Sequence, residues 1–162
     1  MKKELVEKSE IKLAGISVRT NTKKEMDPQT AKIGETVGRY FGTDIANQIP
    51  ERKQPGVTIA VYTDYASDEH GDYTYFIGEE VSSLDHVPSI LTKITIPASK
   101  YQKFTTEPGK MPDVVIQAWQ EIWKMSNQDV GGARAYRADF EVYDQRAADP
   151  NHTSLDIYIG LK

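Results

Sequence analysis

The chain has 162 residues, of which 38% are hydrophobic and 27% charged, with no cysteine and a formal net charge of -4. That composition excludes wholesale disorder, a disulfide scaffold, thiol chemistry and cysteine-ligated metal centres. The acidic balance argues against nucleic acid or an anionic membrane as the main partner, and no apolar run approaches the roughly 20 residues of a spanning helix.

The first ten residues, MKKELVEKSE, are charged and lack the apolar core of a secretory signal. The expectation is therefore a cytoplasmic protein in which the sequon at Asn151-His152-Thr153 is chance. Leu13–Thr20 alternates like a strand, with Leu13, Gly15 and Ser17 on one face. Asp27-Pro28 has the chemistry of a helix entry, since Asp caps exposed N–H groups and proline lacks one. Ile33, Val37, Tyr40 and Phe41 then form an apolar stripe, and Gly42 supplies a stop. The segment 43–56 is turn-rich and reads as a connection. Val57–Asp64 and Tyr73–Val81 follow as strands joined by a polar loop at 66–72.

Residues 91–106 hold two strand-like stretches interrupted at Pro97. Past Pro108, Gly109 and Pro112, a second helix is marked by Val115, Ala118, Trp119, Ile122 and Trp123. It ends near Ser126-Asn127, with Gly131-Gly132 as a flexible link. Arg137–Tyr143 and Thr153–Leu161 make a last hairpin around Asp149-Pro150-Asn151. The fold class is thus α+β: one domain over 1–162, with a strand-helix-strand-strand unit over about 10–82 and a second over about 90–162. The units share residues as well as order. Ile59-Ala60-Val61-Tyr62 matches Phe140-Glu141-Val142-Tyr143, and Ile77-Gly78 matches Ile159-Gly160. Two such copies predict a curved antiparallel sheet with a cleft at their seam.

Glu141 carries the chemistry. Strand alternation puts it on one face with Tyr143, and the repeat puts Ala60 and Tyr62 in the corresponding places. A carboxylate among aromatic rings requires a donor or a cation to offset lost hydration, and a ligand cation favoured by the ring faces would serve. The other reading sets Glu141 on a solvated face or pairs it with Arg137 or Arg146. The strand tyrosines Tyr62, Tyr73, Tyr75, Tyr143 and Tyr158 suit binding walls, and they equally suit plain sheet faces. Trp119 and Trp123 fit a helix core, with one of them free to wall a cleft. His70, His86 and His152 lack ligand spacing, so no metal is expected. No nucleotide or nucleophile motif occurs, and no cofactor is called for.

The pattern resembles the GyrI-like, or AraC-type effector-binding, family. The resemblance rests on Val61-Tyr62-Thr63-Asp64-Tyr65, Gly71–Gly78, Ile96–Phe104, the Trp119 helix, Asp139-Phe140-Glu141-Val142-Tyr143 and Asp156–Ile159, in family order from about residue 4 to 162. It implies tandem repeats around a small-molecule cleft. There the glutamate at position 141 receives cationic, often aromatic ligands, and Tyr143, Tyr158, Tyr62, Tyr75, Trp119 and Trp123 line the site. Relatives of this kind include sensor halves of transcription activators, a gyrase inhibitor, and hydrolases of cyclopropane-bearing toxins. Ten residues ahead of the first strand cannot form a helix-turn-helix, so direct DNA binding in cis is not expected. The implied function is a stand-alone sensor or sequestering protein for a planar or cationic amphipathic compound, with a regulator or gyrase as a conceivable protein partner. The alternative is a hydrolase using Glu141 and Tyr143 on a strained electrophile.

Overall fold

The computed structural model describes all residues, 1–162. Eight strands form one antiparallel sheet: β1 Lys2–Lys8, β2 Ile11–Thr20, β3 Thr58–Thr63, β4 Tyr73–Glu80, β5 Thr92–Ile96, β6 Ser99–Thr105, β7 Ala138–Tyr143 and β8 Asp156–Leu161. Four helices accompany them: α1 Thr22–Glu25, α2 Ile33–Gly42, α3 Asp113–Lys124 and α4 Asn127–Val130. The strand order β1-β6-β8-β7-β3-β4-β2-β5 is symmetric about the β3–β7 pair: β2, α2, β3 and β4 on one side answer β6, α3, β7 and β8 on the other. The central register sets Ala60 directly opposite Glu141.

Two short connections force the sheet to roll up. Only Ser9 and Glu10 separate β1 from β2, yet six inter-strand spacings lie between them in the order. Flat, that distance would be roughly 29 Å, whereas the Cα atoms of Lys8 and Ile11 can stand at most about 11 Å apart. Pro97-Ala98 imposes the same curl between β5 and β6. The inner side of the roll is filled by Leu13, Ile59, Val61, Phe76, Tyr101 and Phe140. On the outer side, Tyr40 of α2 packs over β2 and β4 through Ala14, Ile16, Tyr75 and Ile77. Ala118, Trp119 and Ile122 of α3 pack over Phe104, Ile157 and Ile159. The central strands β3 and β7 lie between those two packed patches, and the apolar stripes of the helices wall the space above them.

The structure corrects four expectations. The charged start is strand β1, in which Lys2, Lys3 and Glu4 are exposed at a sheet edge while Val6 packs against the inner cluster; charge at an edge strand guards against pairing with other chains. The two stretches within 91–106 are β5 and β6, but the break at Pro97 is no bulge within one ladder: the strands stand at opposite sides of the sheet. Asp27-Pro28 does not open a helix, because the Asp27 carboxylate accepts instead from Gln29 N–H in a turn. The start of α2 is served from outside by Glu25, whose oxygens accept from Lys32 N–H (2.9 Å) and Ile33 N–H (3.0 Å). Finally, Gly131 is a helix stop, with φ +97, and not a flexible link; its N–H closes α4 on Asn127 and Gln128.

Candidate functional site

Asp139, Glu141 and Tyr143 project from the outer face of β7, beside Thr58, Ala60 and Tyr62 of β3. Ala60 leaves room for the larger side chain opposite it. The Glu141 carboxylate, 3% exposed, is held by three neutral donors. Tyr143 OH donates to Oε1 at 2.6 Å, while Tyr62 OH (3.1 Å) and Trp119 Nε1–H (2.7 Å) donate to Oε2. Tyr62 and Tyr143 occupy equivalent places in the two halves, so the near-twofold axis delivers one hydroxyl to each carboxylate oxygen.

Three carboxylates are buried in this protein: Glu79, Asp139 and Glu141. Two have their counter-charge. Asp139 accepts from Arg134 Nη2 (2.8 Å), Tyr65 OH (2.5 Å) and Gly160 N–H (2.8 Å). Glu79 meets Arg52 Nη1 at 3.3 Å and Gly56 N–H at 3.4 Å. Glu141 has no cation. Arg146 is engaged with Asp144 and Asp156, and Arg137 reaches Ser99, so neither of the arginines considered as partners pairs with it. Loss of hydration pushes the Glu141 carboxyl above its ordinary range, against the pull of the Tyr143, Trp119 and Tyr62 hydrogen bonds. Burial, followed by the Glu141 charge, raises the Tyr62 and Tyr143 hydroxyls well above theirs, so both stay protonated donors.

Above this group the space between α2 and α3 forms two adjoining chambers. One, of about 510 Å³, is walled by Tyr62, Tyr65, Tyr73, Trp119 and Trp123. The other, of about 840 Å³, is walled by Val37, Phe41, Tyr75, Ile77 and Tyr143. Ile33, Gly34, Pro112 and Val115, from the starts of the two helices, border both. Each volume is that of a small-molecule pocket. Tyr62 stands edge-on to Tyr73 (5.5 Å) and Trp119 (5.2 Å) of the first chamber and to Tyr75 (5.4 Å) of the second, measured between ring centroids. No group of three or more His, Asp or Glu side chains is placed to hold a metal ion, and no helix is long and apolar enough to cross a membrane.

The structure thus brings together Glu141, Tyr143, Tyr62, Tyr75, Trp119 and Trp123. Tyr158 stands elsewhere. The register pairs it with Phe140, on the inner face, where its ring stacks on Phe140 at 4.5 Å beneath the Lys8 ammonium. Sequence reasoning missed Tyr65, Arg134 and Asp139. The alternation that joins Glu141 to Tyr143 puts Asp139 on the same face, and that was the available signal. Arg134 carries none, because its partner is defined by the path of the chain after α4. Glu25, at the rim of the smaller chamber, was equally hidden.

Residues 4–161 match the family model for Cass2, the integron-associated effector binding protein. Among curated proteins the chain is 30% identical over 151 residues to YobU of Bacillus subtilis (strain 168), whose name is that of a transcriptional regulator; the match spans 93% of this chain and 92% of YobU. It is also 30% identical to the transcriptional regulator BrlR of Pseudomonas aeruginosa over 79% of this chain but only 47% of BrlR. Among solved structures, an integron cassette protein of Vibrio cholerae superposes with a TM-score of 0.78 at 28% identity, covering 99% of this chain and 95% of that one. SAV2435, solved with tetraphenylphosphonium bound, gives 0.76 at 18% identity, over 100% and 94%; this shows that it shares the α+β fold.

Proposed function

The chain belongs to the Cass2 family of integron-associated effector binding proteins, and on that premise we propose that it binds a small lipophilic cation in the cleft above Glu141, as a ligand sensor or sequestering module. The observation that carries this reading is the contrast among the buried acids: Asp139 and Glu79 each have an arginine, while Glu141 has only neutral donors. Leaving a buried carboxylate without a counter-ion is unfavourable unless something else supplies one. A cation entering either chamber would supply it, and the faces of Tyr62, Tyr73, Trp119 and Trp123 would attract it further.

Tyr62 OH, Tyr143 OH and Trp119 Nε1–H do more than hold the carboxylate. Each donates toward Glu141, which leaves its own oxygen or ring more electron-rich on the chamber side. The charge is therefore felt in the cleft, although the carboxylate itself sits behind its donors. Because protein donors already occupy both oxygens, the arrangement suits a fixed charge better than a base confronting water. The tetraphenylphosphonium bound by SAV2435 is a ligand of the chemical class this cleft suits.

The test is a thermal-shift panel of tetraphenylphosphonium and cationic dyes on the wild-type chain and on Glu141→Gln. A ligand at about 100 times its Kd stabilises the fold by about 2.7 kcal/mol, which a melting curve resolves easily. The reading requires at least one cation to stabilise the wild type strongly and the variant weakly. If every cation shifts the two equally, Glu141 is not the receiving charge.

A further inference from the structure

The cleft has two chambers but one fully buried carboxylate without a counter-ion: Glu25 and Glu69 at the smaller chamber are half-buried, and Asp144 at the larger is paired with Arg146. Glu141 lies opposite Ala60 in the central strand pair, and its two oxygens are addressed by Tyr143 and by Tyr62 with Trp119. Tyr143 lines the larger chamber; Tyr62 and Trp119 line the smaller. The chambers share a border at Ile33, Gly34, Pro112 and Val115, directly between the two helix starts. A single anion is thereby presented to both sides of one partition through a separate set of donors on each.

Resting on the reading above, we propose that the preferred ligand is one elongated monocation whose charge lies between two apolar arms, with one arm in each chamber. Two one-armed cations would place two positive charges against a single buried, unpaired carboxylate, and the second would find no buried counter-charge of its own. A ligand with an arm on only one side would leave the other chamber's aromatic and aliphatic wall wet. A two-armed monocation neutralises the carboxylate once and buries apolar surface on both sides. The near-twofold placement of Tyr62 and Tyr143 means that a symmetric molecule, such as a diarylmethyl ammonium or a dye with its charge at the centre, matches the site in either orientation. The chambers differ in size, so unequal arms are also accepted, in one preferred direction.

The experiment compares benzyltrimethylammonium, with one aryl arm, and dibenzyldimethylammonium, with two, by calorimetric titration of the full chain. Two further variants narrow one chamber each: Ala31→Phe at the smaller and Ala147→Phe at the larger, both at half-buried lining positions. The wild type should bind one equivalent of either cation and hold the two-armed one about tenfold or more tighter, as expected for burying a second phenyl group. Each narrowing substitution should abolish that preference, lowering dibenzyldimethylammonium affinity about tenfold to that of benzyltrimethylammonium, which still binds through the free chamber. Binding of two equivalents, or equal affinity for the two cations in the wild type, overturns the proposal while leaving Glu141 as a cation receptor. If neither cation binds and the wider panel also fails, the parent reading falls and takes this one with it.

Discussion

Replacing Glu141 with glutamine separates its charge from its shape. The glutamine carbonyl can accept from Trp119 and Tyr62 where Oε2 now does, and its amide can donate to Tyr143, whose hydroxyl turns to accept. No buried polar atom is orphaned. Binding should fall by the lost Coulomb attraction: a cation about 5.5 Å from the carboxylate, at an effective dielectric of about 20, is worth about 3 kcal/mol, or about two powers of ten in Kd. Stability should move the other way. The folded-state pKa is raised above the ordinary 4.5, so the contribution of this carboxyl is fully present below the unfolded value and is lost as pH rises through the folded one. At pH 7 the ionised group is a net cost that glutamine does not carry. The variant should therefore be more stable than the wild type at pH 7 by about 1 kcal/mol or more, an advantage that vanishes on acidification below 4.5. Urea denaturation at pH 7 and pH 4, with titration of benzyltrimethylammonium and its uncharged isostere neopentylbenzene, measures all of this. Unchanged cation affinity, or destabilisation at pH 7, would refute the reasoning; the neutral isostere should bind both proteins alike.

Other outcomes follow from the same geometry. Cation affinity of the wild type should rise with pH above 4.5 until Glu141 is fully ionised, by up to about tenfold per pH unit on the acid side, while Glu141→Gln gives a flat profile in the same titrations. Arg134→Met strands the fully buried Asp139 with only Tyr65 and Gly160 as donors. It should cost about 3–5 kcal/mol in urea denaturation, and a loss below about 1 kcal/mol would mean that Asp139 does not depend on the pair. Glu25→Ala removes both acceptors at the start of α2 and should cost about 1–2 kcal/mol, read from the same denaturation curves. Gly78→Ala drives a methyl group into the Ala14 carbonyl across the β2–β4 ladder. It should cost about 3 kcal/mol, visible as a lowered urea midpoint.

Much of the site could be read from local pattern, because strand alternation is local. Glu141 and Tyr143 share a face by parity alone, and the match between Ile59–Tyr62 and Phe140–Tyr143 carries that face across to Ala60 and Tyr62. The α+β class followed from the same matches together with two helical stripes. Parity fails where no anchor exists. In β8 the run Ile157-Tyr158-Ile159 is apolar on both faces, and only the Phe140–Tyr158 register turns the tyrosine into the roll. The Asp139–Arg134 pair depends on the turn after Gly131, and the placing of β1 and β5 depends on contacts between residues roughly 80 to 100 positions apart. The helix start at Ile33 was misplaced for a related reason. Its cap is a glutamate eight residues upstream, and the local Asp27-Pro28 signal is satisfied within its own turn.

The crossing of β1 and β5 gives the two halves a shared fate. β1, from the beginning of the chain, completes the sheet on the β6 side, and β5, from the middle, completes it on the β2 side. Severed between residues 82 and 90, each fragment would carry a strand whose hydrogen-bonding neighbour lies on the other fragment. The pieces should therefore recombine when mixed, and a lone fragment would seek a second copy of itself to embrace.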